Sequence, residues 1–407
     1  MYPVPDAVRA QLGVDHEVLS WADVWTSPWY LAPGTGPAPG YMARLYIETG
    51  TVTIDGTTPG TVTSSCQFTA APTCDPGNQP TALLDALNAN GTEVRVSWSI
   101  PGTGDDVLLG VFPVTSAVCS DTGEDLTITV TGADRSSVIS RRQLPKPYPQ
   151  PKGIEVSQAI ATMIGSVAPG GVTYDFAATP WTVAPYTWPE GQDPWAASVQ
   201  MATTAGSELY VGNSGRMVMR AIQPPKPGSR AVWAYGEGGA PILGFPNLCT
   251  GMSRNRTNAA VYNQIVVVAE STSVGVAAFG SSSSGVAFTC YAADLDSNSP
   301  TYALGNYGPA TNVIYDELLT NLAEGQQEAL LNLNEGLSGG EQVTVTALMQ
   351  PYHQIWDAVW LQRSRLGIAG LYTVRSITMP LDAAGVMSLL CYRTVQPGTI
   401  LTSPVAP

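Results

Sequence analysis

The chain has 407 residues, of which 44% are hydrophobic and 12% charged, and it contains 41 glycines and 33 prolines. This length and apolar content predict two or three globular domains, and the scarcity of charge is typical of a turn-rich surface that packs against other subunits. The formal net charge of −14 argues against a nucleic acid as the partner, because binding to phosphates requires a cationic face.

The first part of the chain consists of short predicted strands. Six apolar or β-branched segments are separated by Gly, Pro and Asp turns, a pattern typical of a barrel or a sandwich. The segments are residues 43–48, 51–55, 62–68, 93–100, 107–114 and 125–132. A proline-rich run at residues 144–153 follows, and because proline fixes φ we expect an extended, stiff linker there.

The middle part combines helices with a β-hairpin. Apolar residues spaced three to four positions apart follow Ser157, which can cap a helix, and a Pro-Gly-Gly sequence ends the run. A glycine-containing turn at residues 212–215 separates two short strands. The predicted elements are a helix over residues 157–167, a helix near residues 196–205 and a hairpin over residues 208–220.

An aromatic loop lies between the two predicted helices. Its tryptophans and the nearby carboxylates are Trp181, Trp188, Trp195, Asp175, Glu190 and Asp193. Tryptophan rings can stack on sugars and a carboxylate pair can cleave glycosides, so one hypothesis is a carbohydrate-binding or hydrolytic site. We favour the other hypothesis, in which the three tryptophans are apolar anchors of the loop or of a contact between subunits.

The last part of the chain begins with apolar strands, continues with an amphipathic helix and ends with strands that alternate with period two. The predicted elements are strands over residues 263–270, 273–279 and 285–292, a helix from about residue 315 to 334, and strands over residues 341–349, 351–360 and 370–381. The last three are joined by short turns and predict a second small barrel.

Together these patterns predict a mainly β fold with an α+β insert, in which two small β-barrel modules flank a helix-containing middle module. Two proline-dense stretches, residues 144–153 and 223–228, mark the boundaries. The predicted modules are residues 1–144, 145–228 and 229–407.

Residues suited to catalysis are scarce. The chain has two histidines, and a strand would place His353 and Asp357 roughly 13 Å apart, too far for a hydrogen bond. The sequence contains no nucleophile elbow, phosphate-binding loop or dinucleotide fingerprint. Its six cysteines are too scattered for a zinc site, and those in apolar strands fit reduced core residues. We therefore predict no enzymatic activity and no cofactor.

One segment has the spacing of a calcium loop. Residues 294–298 read Asp-Leu-Asp-Ser-Asn, in which alternate oxygens can converge on a cation. Ser299 and Gly305 stand where such a loop requires Gly and Glu, so we favour an Asx-rich turn and predict no metal site.

The amino terminus does not predict export, and the longest uncharged segment does not predict membrane insertion. The first residues lack a basic region followed by an apolar one, so no signal peptide is predicted. Residues 271–293 are uncharged, but the Ser and Gly residues at 281–285 favour two strands around a turn over a membrane span. We expect assembly in a cytoplasm.

Short motifs along the chain carry a family resemblance. In chain order they are Leu109-Gly110-x-Phe112, Gly132-x-Asp134-Arg135, a hairpin leading to Pro224-Pro225, Trp356-Asp357-x-Val359, Gly370-x-Tyr372-x-Val374 and Pro380-Leu381. Their order and spacing, from about residue 21 to 392, resemble those of phage tail hub proteins, the trimeric baseplate or tail-tip family.

The resemblance implies a structural protein of the virion, located at the tail tip and assembled in the host cytoplasm. In that family a homotrimer alternates two barrel modules per subunit around a ring of six, so that it docks on the sixfold distal tail ring. The resemblance also implies contacts with the tape-measure protein in the lumen and with other tail-tip or receptor-binding proteins. The residues expected at interfaces are Arg135, Trp181, Trp188, Trp195, Trp356, Asp357 and Val359.

Two alternatives remain open at this point. The chain can be the distal tail ring protein itself, which is barrel-based and hexameric but lacks a helix-bearing middle module. It can also be a carbohydrate-binding or hydrolytic tail-tip protein that uses the tryptophan loop.

Overall fold

The computed structural model describes residues 4–12, 17–25, 40–70, 87, 91–122, 126–168, 172–258, 261–270, 286–395 and 399–401. Strands predominate, which confirms the predicted mainly β fold. The strands are β1 Leu19–Trp25, β2 Tyr41–Asp55, β3 Thr61–Ala70, β4 Glu93–Ser99, β5 Asp106–Asp121, β6 Leu126–Ala133, β7 Tyr148–Gln150, β8 Tyr174–Phe176, β9 Tyr186–Trp188, β10 Ser207–Val211, β11 Met217–Ala221, β12 Trp233–Gly236, β13 Cys249–Arg256, β14 Gln264–Glu270, β15 Val286–Ala293, β16 Thr311–Asp316, β17 Glu341–Ala347, β18 Ala358–Arg363, β19 Ile368–Pro380, β20 Met387–Arg393 and β21 Thr399–Leu401. The helices are α1 Asp6–Gln11, α2 Ser136–Ser140, α3 Val156–Val167, α4 Pro194–Thr204 and α5 Leu322–Ser338.

The first six strands, β1 to β6, form the N-terminal strand group. Each pairs in antiparallel fashion with two others, in the cyclic order β1-β2-β3-β6-β5-β4 and back to β1. Alternate side chains such as Val94, Val96 and Trp98 point into a shared core. The segments predicted at 43–48 and 51–55 are one continuous strand, β2, and β1 was not predicted.

Six later strands form the C-terminal strand group, in the order β13-β17-β20-β19-β18-β12. All pairs are antiparallel except β12 with β18. The side chain of Asn247 connects the two ends of this order, since its amide donates to the Gly236 carbonyl and its oxygen accepts from the Gly236 and Cys249 amides. The predicted strands at 341–349 and 370–381 correspond to β17 and β19.

One strand pair joins the two groups. Residues 51–55 of β2 pair antiparallel with residues 376–380 of β19, so the hydrogen-bonded sheet continues from one group into the other. A single hydrophobic cluster accordingly includes Leu45 and Phe68 from one group and Val359 and Leu389 from the other. The N-terminal and C-terminal strand groups therefore share a core, although they are distant in sequence.

In the middle part of the chain, the helices α3 and α4 pack on the hairpin β10–β11. This part has its own core, which includes Ile160, Met163, Met201 and Leu209. The predicted hairpin is confirmed, with a left-handed Gly215 in its turn. The first helix begins at Val156 after Glu155, so the predicted Ser157 cap is wrong, because Glu155 has the extended backbone of the cap position. The second begins at Pro194, capped by Asp193.

A separate four-stranded sheet, in the order β16-β14-β15-β21, carries helix α5 on one face. The strand predicted at 285–292 is confirmed as β15, whereas the segment at 273–279 lies outside the described residues. The helix predicted from residue 315 begins only at Leu322, because Tyr315 lies in β16 and the Asn321 side chain caps the first turn. The helix extends four residues beyond the predicted end near residue 334 and stops at Ser338, before two glycines.

Two further observations concern membranes and disulfides. Within the ranges described, no helix is both long and apolar enough to span a membrane. The cysteines described, Cys66, Cys119, Cys249, Cys290 and Cys391, are free thiols, and three of them are buried.

A buried acid pair connects α4, β16 and α5. Asp316 accepts hydrogen bonds from the Thr204 hydroxyl at 2.6 Å and from the Leu318 amide at 2.8 Å. Glu328 on α5 lies against Asp316, and burial together with the Asp316 charge raises the pKa of Glu328 to about 8. The pair therefore holds a proton at neutral pH.

We predict that Glu328→Gln reduces the dependence of stability on pH. The folded-state pKa of Glu328 lies above its unfolded value, so the contribution of its proton to stability is fully present below about pH 4.3 and is lost as pH rises to about 8. Glutamine does not titrate, and the variant should gain a few kcal/mol relative to wild type between these limits. Urea unfolding across the pH range measures this, with Glu190→Gln at an exposed position as control. Equal pH profiles for Glu328→Gln and wild type would refute the assignment.

Candidate assembly surface

Arg135 fixes the middle part against the N-terminal strand group. Its Nε and Nη2 donate to the two carboxylate oxygens of Glu93 on β4, at 2.8 and 2.7 Å. Its Nη1 donates to the Gly215 carbonyl in the β10–β11 turn at 2.8 Å. Both charged side chains are almost completely buried. Burial raises the pKa of Glu93, and the ion pair with Arg135 opposes that rise.

The neighbours of Arg135 explain the rest of its motif. Asp134 accepts from the Ser64 amide on β3 at 2.6 Å and from the Ser136 amide at 2.9 Å. Ser136 is the first residue of α2. A Cβ on Gly132 would lie 2.8 Å from the Cβ of Phe112, so a side chain at this position would displace the core. The Gly-x-Asp-Arg motif is therefore a structural junction.

A second junction is centred on Arg375 in β19. Its guanidinium is buried and stacks 4.0 Å from the centre of the Trp356 ring. Its Nε donates to the Gly56 carbonyl just after β2 at 3.0 Å, and Nη1 donates to Glu335 on α5. The Arg375 side chain thus connects both strand groups and the helix of the separate sheet.

Trp356 extends this junction to the middle part. Its Nε1 donates to Glu208 on β10 at 2.7 Å, and Glu208 also accepts from Arg220 on β11 at 2.9 Å. Trp356 has φ +72, a left-handed backbone that residues other than glycine rarely adopt. Its ring remains partly exposed at a cleft of about 540 Å³ between α5, the proline-rich run at 223–226 and β20.

The residues before β18 form a turn, which corrects the predicted strand at 351–360. Because the chain turns, His353 and Asp357 lie side by side, with Nδ1 and Oδ2 3.2 Å apart, and the predicted separation of roughly 13 Å is wrong. The other ring nitrogen of His353 lies 2.7 Å from the Tyr235 hydroxyl. Burial opposes ionisation of Asp357, but contact with His353 lowers its pKa. This group of side chains is buried, so it supports the turn.

The tryptophan loop contributes mainly to the core of the middle part. Trp188 is buried and donates to Gln150 at 2.9 Å, and Trp195 is buried in the first turn of α4. Trp181 is partly exposed beside α3. Asp193 caps α4 by accepting from two backbone amides, which occupies one of the carboxylates proposed for glycoside cleavage.

The predicted interface residues therefore fall into two classes. Trp181 and Trp356 are partly exposed and available to a partner. The others are buried within the chain and can stabilise a surface but not form one; they are Arg135, Trp188, Trp195, Asp357 and Val359. The roles of Arg375 and Glu208 at these junctions were not predicted from the sequence. The one available signal was a charged residue at a strand position where the neighbours are apolar.

No metal centre is apparent in the part of the chain that the structure describes, where no three His, Cys, Asp or Glu side chains converge. In the calcium-like segment, the Asp294 carboxylate accepts from the Ser299 hydroxyl at 2.5 Å and the Thr301 hydroxyl at 2.7 Å. Asp296 likewise accepts from the Asn298 amide at 2.9 Å. These are the contacts of an Asx-rich turn.

The fold is similar to solved structures of tail proteins. The tail protein from Neisseria meningitidis MC58 is 14% identical, with a TM-score of 0.61 over 92% of this chain and 96% of that chain. The 43 kDa tail protein of prophage MuSo2 from Shewanella oneidensis is 13% identical, with a TM-score of 0.54 over 93% and 98%. Prophage tail protein gp18 from Listeria monocytogenes EGD-e is 11% identical, with a TM-score of 0.54 over 91% and 94%.

No protein-family model matches the sequence, and no curated protein matches it. At identities of 11–14% the likeness is one of fold. All three neighbours are tail proteins, so the resemblance found in the sequence motifs is confirmed as a likeness in fold to phage tail proteins, and the hub type stays a prediction.

We predict that Arg135→Met destabilises the chain by about 3–5 kcal/mol, because it leaves Glu93 buried without its counter-charge. Arg44→Met is the matched control, since Arg44 pairs with Asp23 at the surface, where such pairs contribute about 0–1 kcal/mol. Urea unfolding compares the two. The loss in Arg135→Met should grow with pH, because Glu93 must ionise without a partner. Equal losses in both variants would contradict the prediction.

We also predict that Arg375→Met costs about 3–5 kcal/mol, because it leaves the Gly56 carbonyl and the Glu335 carboxylate without their buried donor. Arg230→Met, the same substitution at an exposed position, should stay within about 0.5 kcal/mol of wild type. Hydrogen exchange should show faster opening of β2 and α5 together in Arg375→Met. Faster exchange confined to β19 would show that the junction does not couple these elements.

Proposed function

We propose that this chain is a structural protein of a phage-type tail, without enzymatic activity. The observation that supports this most directly is the likeness to three solved tail proteins over more than 90% of both chains in each case. The placement of the chemistry-bearing residues agrees with a structural role: the ion pairs of Arg135 and Arg375 and the His353–Asp357 contact are buried and connect elements of the fold.

Within that class we propose a homotrimeric tail-tip or baseplate hub. The cyclic pairing of the N-terminal strand group and the near-cyclic order of the C-terminal strand group support a reading of each as a small β-barrel. Three subunits with two such units each would place six units around a threefold axis. One surface of the trimer can then meet a sixfold ring, and its other surface can meet a threefold tip. We retain the modules 1–144, 145–228 and 229–407 as the proposed organisation.

The proposed partners follow from this role. The ring of six would dock on the distal tail ring, the lumen would hold the end of the tape-measure protein before DNA ejection, and other tail-tip or receptor-binding proteins would attach below. Trp181 and Trp356 are the proposed contact residues, because tryptophan is enriched among the few residues that carry most of the binding free energy of an interface. The location would be the tail tip of the virion after assembly in the host cytoplasm.

The alternatives have less support. A distal tail ring protein would lack the helices α3 and α4, which are present here. A sugar-binding tip protein would need exposed stacking rings, whereas Trp188 and Trp195 are 2% and 7% exposed.

We predict that native mass spectrometry across a concentration series gives a trimer of the 42.7 kDa chain, and that averaged electron-microscope images show a ring with six lobes. A hexamer would indicate the distal tail ring protein instead. A chain that stays monomeric at high concentration would overturn the hub proposal, and binding to wall polysaccharide that Trp181→Ala abolishes would favour the tip protein.

A further inference from the structure

Arginines are concentrated at one end of the C-terminal strand group. At this end β13 and β20 finish, β17 begins, and the turn Ser364–Leu366 joins β18 to β19. Arg256 pairs with Glu341 and Arg363 pairs with Ile368, and the Arg254 side chain joins these two parts by donating from Nη1 to the Leu366 carbonyl at 2.8 Å. We call this surface the basic end; its arginines are Arg254, Arg256, Arg363, Arg365 and Arg393.

Two carboxylates, Glu237 and Glu341, lie among these arginines. Their negative charges do not neutralise the positive charges of the arginines. Glu341 accepts from Arg254 at 2.7 Å and from Arg256 at 3.2 Å. Burial alone would raise the pKa of Glu341, but the hydrogen bonds and charges of its neighbours lower it to about 2. The Arg256 and Arg393 side chains are still 64% and 54% exposed. The basic end is therefore positive on a chain whose formal net charge is −14.

A surface of opposite charge lies on the N-terminal strand group, where β1 begins. Leu19 pairs with Ser99, which pairs with Asp106, so the starts of β1 and β5 lie on either side of the end of β4. On the other side of β1, Trp21 pairs with Tyr46, which places Glu48 toward the same end. We call this surface the acidic end; its carboxylates are Glu17, Glu48, Asp105 and Asp106. Within the described ranges none of the four forms an ion pair, and Glu17, Glu48 and Asp106 are exposed.

We propose that the basic end of one copy docks against the acidic end of the next copy, head to tail. This contact rests on the proposed homo-oligomer and specifies how its subunits meet. A closed ring with an odd number of copies requires a heterologous interface, in which each subunit presents two different complementary patches. One chain carries both patches here, on different strand groups, so the same contact can repeat around the ring.

The chemistry of the basic end favours carboxylates as the groups it binds. An arginine guanidinium offers a planar fork of donors that matches a carboxylate, and Glu341 already occupies part of the cluster in that way. Arg363 and Arg365, on either side of Ser364, make no ion pair within the described residues. Their charges are available to a neighbouring copy and would also repel a wrongly oriented one.

A charge-swap experiment tests the contact in the full chain. The first variant is Arg363→Glu with Arg365→Glu, the second is Glu48→Lys with Asp106→Lys, and the third combines all four substitutions. All four positions carry side chains at least partly exposed to solvent, so we expect the variants to fold, which circular dichroism verifies. Native mass spectrometry then gives the concentration at which half of each protein is assembled.

The first two variants should each raise the half-assembly concentration by at least about tenfold, because each places like charges opposite one another. The combined variant should return to within about threefold of wild type, since the reversed charges attract again. Added salt should weaken wild-type assembly, because the pairs lie at the surface.

Four outcomes would overturn the contact. Trimers unaffected by either double variant would refute it while leaving the proposed hub intact, as would a combined variant that stays dissociated. A wild-type chain that is monomeric throughout would overturn the hub and this contact together. Binding of a short DNA duplex that is lost in Arg363→Glu/Arg365→Glu, with assembly unchanged, would assign the basic end to a polyanion.

Discussion

The buried guanidinium of Arg375 is the interaction on which the arrangement of the parts depends. A charge removed from water costs several kcal/mol unless partners replace its hydration, so its neighbours must be placed correctly. Those neighbours are the Gly56 carbonyl, the Glu335 carboxylate and the Trp356 ring, which belong to three different parts of the chain. Correct burial of one side chain thus requires that both strand groups and α5 come together, which favours one rigid body over independently moving modules.

The pairing of β2 with β19 has the same effect on the backbone. Residues 51–55 and 376–380 lie more than 300 positions apart, yet they continue one sheet and one core. A subunit whose two strand groups were joined only by a linker would present its surfaces at variable angles. Because the groups share hydrogen bonds and a core, the surfaces at their outer ends keep a fixed geometry, as a repeating contact between copies requires.

The sequence predicted the elements with local signals and missed those that depend on distant pairing. Alternation with period two identified β17 and β19, and the glycine turn identified the hairpin β10–β11. The strand β1 was missed, and nothing local showed that β14, β15 and β16 form a sheet of their own. The turn before β18 has the sequence pattern of a strand because its apolar residues suit either state, and hydrophobic periodicity carries no signal of the left-handed backbone at Trp356.

Residues at which one copy meets a partner are harder to predict from a sequence than the fold is, for a physical reason. A short motif is recognisable when each of its residues satisfies a demanding local geometry, and that demand is greatest at buried junctions. Arg135 connects the N-terminal strand group to the middle part, and Trp356 connects the middle part to the C-terminal strand group. The motifs therefore identify how the parts of one chain meet. A surface that meets another copy needs only matching charge and shape, which many sequences supply, so it becomes visible only after folding brings Arg256, Arg365 and Arg393 to one end.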